Sequence, residues 1–146
     1  MASHRINLRG PWDFSWRSDD LSGTVPVSKT GTVAMPKEWR ELFGELAGTA
    51  QFRRKFHRPT NLEPHEQVLV VCKELRGTGS VRLNDVPVGS FTSAEGPVEF
   101  DISTLMKHFN ELDVEISFDP SRNTNLPGGL YGVVALEIRD VSFRGN

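Results

Sequence analysis

The segment LDVEISF, residues 112–118, alternates apolar and polar side chains without a break. Successive side chains of a β-strand point to opposite faces, so its four apolar residues share one face and its three polar residues share the other. The segment WDFSW repeats the pattern, with Trp12, Phe14 and Trp16 on one face. Both segments are predicted to be half-buried strands of antiparallel sheets.

Strand signals continue through most of the chain, in QFRRKF, QVLVVCKEL, SVRL, PVG, PVEFDI and VVALEIRDVSF, with turn residues between them at short spacing. Helix signals are few. KEWRELFGEL predicts one or two turns that end at Gly44 or Gly48, and STLMKHF predicts about two turns with Ser103 as the N-cap. Eight or more strands with such short helices predict one all-β domain, an antiparallel β-sandwich or jelly roll over residues 1–146.

The inward faces of these strands predict the hydrophobic core. Cys72, the single cysteine, lies within an apolar run and is expected to be a buried thiol rather than a nucleophile. We expect the core to contain Trp12, Phe14, Phe52, Phe56, Leu83, Phe100, Ile102, Leu112, Val114, Ile116, Leu136 and Ile138.

Charge and hydropathy narrow the partners. The net charge is −2 and both signs are mixed along the chain, so neither nucleic acid nor anionic lipid is an expected partner. No apolar run approaches the ~18 residues of a membrane span, and the N-terminus lacks the apolar segment of a signal peptide. We therefore expect a soluble protein, cytoplasmic by default.

Catalytic signatures are missing from the sequence. His4, His57, His65 and His108 are scattered without metal-ligand spacing, and there is no GxSxG motif, glycine-rich phosphate loop or cysteine paired with histidine. We expect no catalytic site, no metal site and no cofactor, although a structural Ca²⁺ in a loop stays an open alternative.

Two features of the strands call for a structural reading beside a functional one. In VRLNDVPVG, Asn84-Asp85 is predicted to be a two-residue hairpin loop with positive φ at both positions, which Asp tolerates less well than Gly. The alternative is a ligand contact at the hairpin tip.

Arg54 falls on the same face as Phe52 and Phe56, so it needs carboxylate or carbonyl partners, or a place at the sheet end. Its alternative role is a sugar contact.

The loop FDPSRNTNLPGGLY carries the best functional signal. It presents Arg122, Asn123, Asn125 and Tyr131, groups suited to hydrogen bonding with hydroxyls and to stacking on sugar rings. A plain solvated loop is the alternative. Trp39, beside Pro36, is a further candidate for sugar stacking, with packing as its alternative.

Six pieces of the sequence together resemble a known family: LRGPWDF, MPKEW, FRRKF, VRLNDVPVG, FDISTL followed by NELDVEISF, and GGLYGVVALEI. Their order and spacing, from Leu8 to Arg139, are similar to the N-terminal sugar-binding domain of family 2 glycoside hydrolases. The resemblance implies a galactose-binding-like jelly roll that precedes an immunoglobulin-like domain and a catalytic barrel. It also makes Trp12 a core landmark and the Asn84-Asp85 hairpin a family landmark, and we assign Asp101 a structural role as well.

Two positions depart from the family pattern. Asp85 stands where Gly is usual, and Gly132 stands where many members carry Arg, which weakens any contact carried over from that position. Counting back from Gly129, Asn123 matches a polar position that can reach toward the barrel's sugar subsite in the family. Asn110-Glu111 imitates the barrel's acid/base pair, but its strand pattern explains it.

A catalytic barrel needs ~250 residues, more than the 146 of this sequence. We therefore expect this chain alone not to be an enzyme, but to be a non-catalytic module that binds a neutral sugar. Two alternatives stay open: a structural domain of a longer glycoside hydrolase that meets neighbouring domains, and a domain for protein interaction or self-association.

Overall fold

A computed structural model describes residues 4–19, 27–92 and 97–141. These residues form two antiparallel sheets that pack as a sandwich, as the sequence predicted. The elements are β1 (His4–Asn7), β2 (Trp12–Ser18), β3 (Ser28–Val33), α1 (Trp39–Phe43), β4 (Gly48–His57), β5 (Glu66–Cys72), β6 (Thr78–Leu83), β7 (Val86–Thr92), β8 (Val98–Asp101), β9 (Phe109–Phe118), a 3₁₀ turn (Pro120–Arg122) and β10 (Val134–Asp140).

The smaller sheet has the order β1-β10-β5-β8 and the larger sheet the order β3-β2-β4-β9-β6-β7. Two edge strands, β1 and β3, escaped the sequence analysis. Neither shows apolar alternation: β3, with the sequence SKTGTV, is exposed except at Val33, and Ile6 is the one partly buried residue of β1. Residues 142 and 143, at the end of the predicted last strand, lie outside the described residues.

The predicted core is confirmed, since all twelve residues are buried. Cys72 is 1% exposed, and burial raises the pKa of its thiol to about 12. The core also contains an aromatic cluster that the sequence analysis did not assemble. Trp39 meets Phe43 and Phe118 edge-on, with ring centroids 4.8 and 5.6 Å apart, and Phe43 stacks on Trp16 at 4.9 Å.

The first predicted helix is confirmed and the second is wrong. α1 begins with a capping box between Glu38 and Glu41 and ends at Gly44, which has φ +68°. The segment after Ser103 forms a turn instead, because the Asn110 side chain accepts a hydrogen bond from the Lys107 amide at 2.8 Å and donates one to the Lys107 carbonyl at 2.9 Å. These bonds close the chain and direct it into β9.

Asp101, to which we assigned a structural role, lies at the turn after β8. Its carboxylate accepts hydrogen bonds from the amide and hydroxyl of Ser103, at 2.9 and 2.6 Å, and from Gln67 at 2.7 Å. Burial opposes the charged form of this carboxylate, but the three hydrogen bonds outweigh burial and lower its pKa. Asp101, rather than Ser103, fixes the turn after β8.

The predicted hairpin is confirmed, with φ of +52° at Asn84 and +67° at Asp85. Asn84 Nδ2 donates to Asn110 Oδ1 at 3.0 Å, and Asn84 Oδ1 accepts from the Glu111 amide at 2.9 Å. Arg54 reaches a carbonyl, that of Lys55, while its Nε is buried without a hydrogen-bond partner. Asn84 thus connects the hairpin to β9. Arg54 has a carbonyl partner, as we expected, but only for part of its guanidinium.

Candidate functional site

The segment from Asp119 to Tyr131, here called the 119–131 loop, joins β9 to β10 at one end of the sandwich. Its first turn is local: Asp119 accepts hydrogen bonds from the amide and hydroxyl of Ser121, at 2.9 and 2.7 Å. Both bonds lower the pKa of the Asp119 carboxyl, and the bond from the Ser121 hydroxyl lowers it more than the bond from the amide. The Asn123 side-chain amide donates to the Asp119 carbonyl at 2.8 Å. These bonds fold the loop back on itself.

Arg40, on α1, holds the loop from outside. Its guanidinium donates to the carbonyl oxygens of Leu126 at 2.6 Å, Asn123 at 3.0 Å and Pro120 at 3.4 Å. A guanidinium presents several donors in one rigid plane, so a single side chain can bind three backbone carbonyls of one loop. The sequence did not indicate this role, because an Arg at the second residue of a five-residue helix carries no signal of what it contacts.

Two carboxylates complete the environment of Arg40. Glu38 Oε1 lies 2.8 Å from Nη1 and Glu45 Oε2 lies 2.8 Å from Nε, while the guanidinium carbon lies 5.8 Å from the centre of the Phe118 ring. The positive charge of Arg40 is therefore neutralised by these two carboxylates. Arg40 serves the loop's shape and has little charge left to attract a ligand.

Arg76 fixes the second half of the loop. It exchanges backbone hydrogen bonds with Gly129 at 3.1 and 3.0 Å, and its Nη1 donates to the Pro127 carbonyl at 2.7 Å. Its guanidinium also lies over the Tyr131 ring, 5.7 Å from the centroid. Gly129 has φ +72°, a conformation that favours glycine, so this bridge depends on the glycine that the sequence places there.

A cleft of about 560 Å³ opens between the loop and the ends of β6 and β9. We call it the loop cleft; it is lined by Asp19, Arg76, Gly77, Thr78, Ser117, Phe118, Asp119, Arg122, Asn123 and Leu126. Its walls hold two acidic and two basic side chains, with hydroxyl and amide groups between them. Such a lining offers hydrogen-bond donors and acceptors without a dominant charge, which suits a hydroxyl-bearing ligand.

The predicted site residues do not converge on one point. Arg122 and Asn123 line the loop cleft, with the Arg122 side chain 85% exposed and its Nε 3.6 Å from Asp119 Oδ2. Asn125 has φ +63° and lines a separate hollow of about 370 Å³ beside Arg40. Tyr131 is half-buried under Arg76 and lines neither space. The structure thus brings together two of the four loop residues that the sequence proposed.

Trp39 does not lie on the surface, so the prediction of sugar stacking by this residue is wrong. The side chain is 1% exposed, and its indole nitrogen donates to the Leu46 carbonyl at 3.0 Å. Its aromatic neighbours hold it in the core beneath the loop. Trp39 therefore supports the 119–131 loop from below, where no ligand can reach its ring.

Within residues 4–19, 27–92 and 97–141, no group of three His, Cys, Asp or Glu side chains could hold a metal ion. None of the described helices is long and apolar enough to cross a membrane. Asn110 is 4% exposed, and its amide is bonded within its own turn and to Asn84. The Asn110-Glu111 pair thus belongs to the strand, as its pattern indicated.

No family model and no curated protein matches the sequence. Solved structures do match its fold. An FMN-binding β-glucuronidase from Faecalibacterium prausnitzii has a TM-score of 0.70 at 22% identity, over 92% of this chain and 22% of that one. A putative β-galactosidase from Bacteroides fragilis has a TM-score of 0.72 at 19% identity, over 96% and 24%.

A family 2 β-galacturonidase from Eisenbergiella tayi, solved with galacturonate, has a TM-score of 0.65 at 20% identity, over 92% of this chain and 24% of that one. The chain thus spans about a quarter of the length of these three enzymes. At these identities the likeness concerns the fold. This chain has the β-sandwich fold of one domain of these glycosidases, in agreement with the resemblance read from its sequence.

Proposed function

We propose that this chain is a non-catalytic module that binds a neutral sugar in the loop cleft. The observation that carries the proposal is a polar cleft that contains Arg122 and Asn123, on a loop held by Arg40 and Arg76. A loop already fixed in shape loses little conformational entropy when a ligand binds. The likeness to glycosidase domains supports a sugar as the class of ligand.

Affinity should be modest. The described lining of the cleft presents no exposed aromatic ring, since Phe118 is 4% exposed, so hydrogen bonds that compete with water must supply the binding energy. Dissociation constants near ~1 mM are the expected range. The cleft has two carboxylates, those of Asp19 and Asp119, and the Asp119 carboxylate already accepts two hydrogen bonds from Ser121. We expect no glycoside hydrolysis.

The test is a titration of labelled protein with methyl galactoside, glucoside, mannoside and glucuronide, followed by amide chemical shifts. Saturable shifts at Asn123 and Leu126 support the proposal. Because Asn123 also holds the loop, the better variant is Arg122→Ala, which should weaken binding several-fold and leave the melting temperature unchanged. Arg58→Ala, at an exposed position outside the cleft, is the matched control. If none of the sugars moves the loop amides at tens of millimolar, the proposal fails.

A second candidate is a structural or protein-interaction domain of a longer glycoside hydrolase. Two exposed apolar side chains favour it: Leu46, 40% exposed, whose carbonyl accepts from Trp39, and Leu126, 45% exposed, whose carbonyl accepts from Arg40. A contiguous exposed apolar patch is typical of surfaces that meet another protein, so this candidate requires the two leucines to belong to one such patch. This candidate predicts no sugar response, and either concentration-dependent self-association or binding to a glycosidase barrel supplied in trans, both measurable by analytical ultracentrifugation.

A further inference from the structure

The outer face of the six-stranded sheet carries a row of polar side chains that crosses five strands. Thr30 on β3 pairs with Ser15 on β2, followed by Gln51 on β4, Glu115 on β9 and Ser80 on β6. On β2, β4 and β9 their neighbours along the strand point inward and are buried, and directly paired residues of adjacent strands lie on the same face. The five side chains therefore share the face that is turned away from the core.

A second row lies two residues further along the strands. It consists of Ser28, Arg17, Thr49, Ser117 and Thr78, again one residue from each of the five strands. Eight of the ten positions in the two rows are Ser, Thr or Gln, and the remaining two, Arg17 and Glu115, carry opposite charges. No aliphatic or aromatic side chain interrupts either row.

Eight of the ten side chains line two adjoining depressions, which together we call the trough. A groove of about 560 Å³ covers β3, β2 and β4 and reaches Glu115 on β9. A smaller hollow of about 70 Å³ shares Gln51 and Glu115 with it and continues to Ser80 on β6. At about 4.8 Å between neighbouring strands, the trough crosses roughly 19 Å of sheet, several times the width of one sugar ring.

Two hydrogen bonds hold trough side chains in place. Gln51 Nε2 donates to Asp113 Oδ2 at 2.8 Å, and the hydroxyls of Thr49 and Ser117 lie 2.7 Å apart. Burial raises the pKa of Asp113, and the bond from Gln51 offsets part of this rise. The polar groups are thus fixed in part before any ligand arrives, which lowers the entropic cost of binding.

We propose that the trough is a second binding site, for a neutral oligosaccharide that lies across the strands. The chemistry of the face selects this class of ligand. A protein partner needs an apolar centre in its interface, and a nucleic acid needs an excess of Lys and Arg, and the two rows offer neither. Hydroxyl and amide groups both donate and accept hydrogen bonds, which matches the hydroxyls of a sugar chain.

The second row also reaches the loop cleft, because its Thr78 and Ser117 line that cleft. The inference thus extends the proposed function from one sugar to a chain of sugars. It does not require the loop cleft to bind, since three of the four uncharged residues in the first row, Ser15, Thr30 and Gln51, lie in the large groove, away from the loop.

The test compares xylotetraose, cellotetraose and mannotetraose with their monosaccharides, by titration of labelled protein. We expect saturable shifts of the Ser15, Gln51 and Ser80 amides with at least one tetrasaccharide, and at least tenfold weaker effects with its monosaccharide. The double variant Thr30→Val/Thr49→Val removes two hydroxyls but keeps the side-chain shape and the strand preference. It should weaken tetrasaccharide binding about tenfold. Thr104→Val, at an exposed turn outside the trough, is the matched control.

Failure of this inference differs from failure of the proposed function. Shifts at Asn123 and Leu126 without shifts in the trough overturn the trough and keep the loop cleft. Shifts at Ser15, Gln51 and Ser80 without shifts at Asn123 and Leu126 overturn the loop cleft and keep the trough. The trough is also overturned if the double variant binds as the wild type does, or if no tetrasaccharide moves its amides at about 20 mM, well above the weak affinity expected. If the double variant melts early, Thr30→Val alone, on the edge strand, gives the same comparison with a smaller effect.

Discussion

Asn84 and Asp85 occupy the same turn in the same left-handed conformation, yet only Asn84 uses its side chain there. Asn84 is half-buried and bonded to Asn110 and to the Glu111 amide, whereas Asp85 is exposed. A residue with a Cβ in this conformation is strained, and at Asp85 none of the described hydrogen bonds or ion pairs is seen to offset that strain.

Asp85→Gly should therefore be neutral or stabilising, by up to ~1 kcal/mol. The relief of backbone strain is offset in part by the greater freedom of glycine in the unfolded chain. Urea denaturation measures the change, and Asn84→Ala should show a loss of about 1 to 3 kcal/mol, because it leaves buried partners without hydrogen bonds. A clear loss of stability in Asp85→Gly would mean that the carboxylate makes a contact important for folding.

At this scale the sequence predicted what is local. Two adjacent residues flanked by alternating strands are sufficient to define a hairpin turn, so Asn84 and Asp85 were assigned correctly. Trp39 and Arg40 are adjacent too, but their surroundings come from residues about 80 positions away in the chain. Nothing in a short window states that Trp39 lies under Gly128 and Phe118, or that Arg40 binds the Asn123 and Leu126 carbonyls.

Among the elements, the 119–131 loop shows how an irregular segment acquires a fixed shape. It lacks strand pairing, apart from the single bridge at Gly129, and takes its order from Arg40 on one side and Arg76 on the other. The same scale explains the errors in element prediction. β3 is a strand because it pairs with β2. Residues 103–109 do not form a helix because the Asn110 side chain is hydrogen-bonded to the backbone of Lys107.

Arg40→Ala should loosen the loop without unfolding the sandwich. Three carbonyls would lose a charged donor, and we expect a loss of about 2 kcal/mol in the local free energy of opening. Hydrogen exchange at the Asn123 and Leu126 amides, both bonded within the loop, should quicken by at least tenfold, while exchange at Val114 on β9 changes less. Arg40→Lys keeps the charge but loses the planar guanidinium, so its exchange rates should lie between those of the wild type and those of Arg40→Ala. Unchanged exchange in Arg40→Ala would show that Arg76 and the local turn are sufficient.

Over the whole molecule, the two outer faces of the sandwich differ in kind. The six-stranded sheet carries the trough, whereas the four-stranded sheet carries a network of ion pairs. Glu137, 7% exposed, accepts from Arg5 at 2.7 Å and from Arg139 at 2.6 Å, and Arg139 reaches Glu99 on β8 at 2.6 and 3.0 Å. Since β5 lies between β10 and β8, this Arg139 bridge spans a strand that it does not belong to.

Stability should fall in acid because of this network. Hydrogen bonds from Arg5 and Arg139 lower the pKa of Glu137, and those from Arg139 lower the pKa of Glu99. A carboxyl with a lowered pKa stabilises the fold above its unfolded pKa, and this contribution is lost as the pH falls through the folded pKa. We expect the melting temperature to drop between about pH 5 and pH 2. Asp113, whose pKa is raised, opposes the drop.

Glu137→Gln should flatten that pH dependence, because the variant no longer releases this proton on folding. Glu63→Gln, at an exposed loop position, is the control and should keep the slope of the wild type. The measurement is thermal unfolding at half-unit steps of pH. Equal slopes in the two variants would remove Glu137 from the account of acid unfolding.

The buried thiol on β5 has a practical consequence for measuring such openings. Cys72 is the single cysteine of the chain, it pairs with Val134 on one side and Val98 on the other, and its pKa of about 12 leaves almost no thiolate at neutral pH. Because Cys72 is the last residue of β5, an alkylating reagent can react with it only after this end of the four-stranded sheet has separated, which exposes the sulfur and restores its ordinary acidity. When alkylation is faster than reclosing, the rate at which intact protein gains the mass of one label therefore equals the rate at which this end of the sheet opens, with no probe introduced.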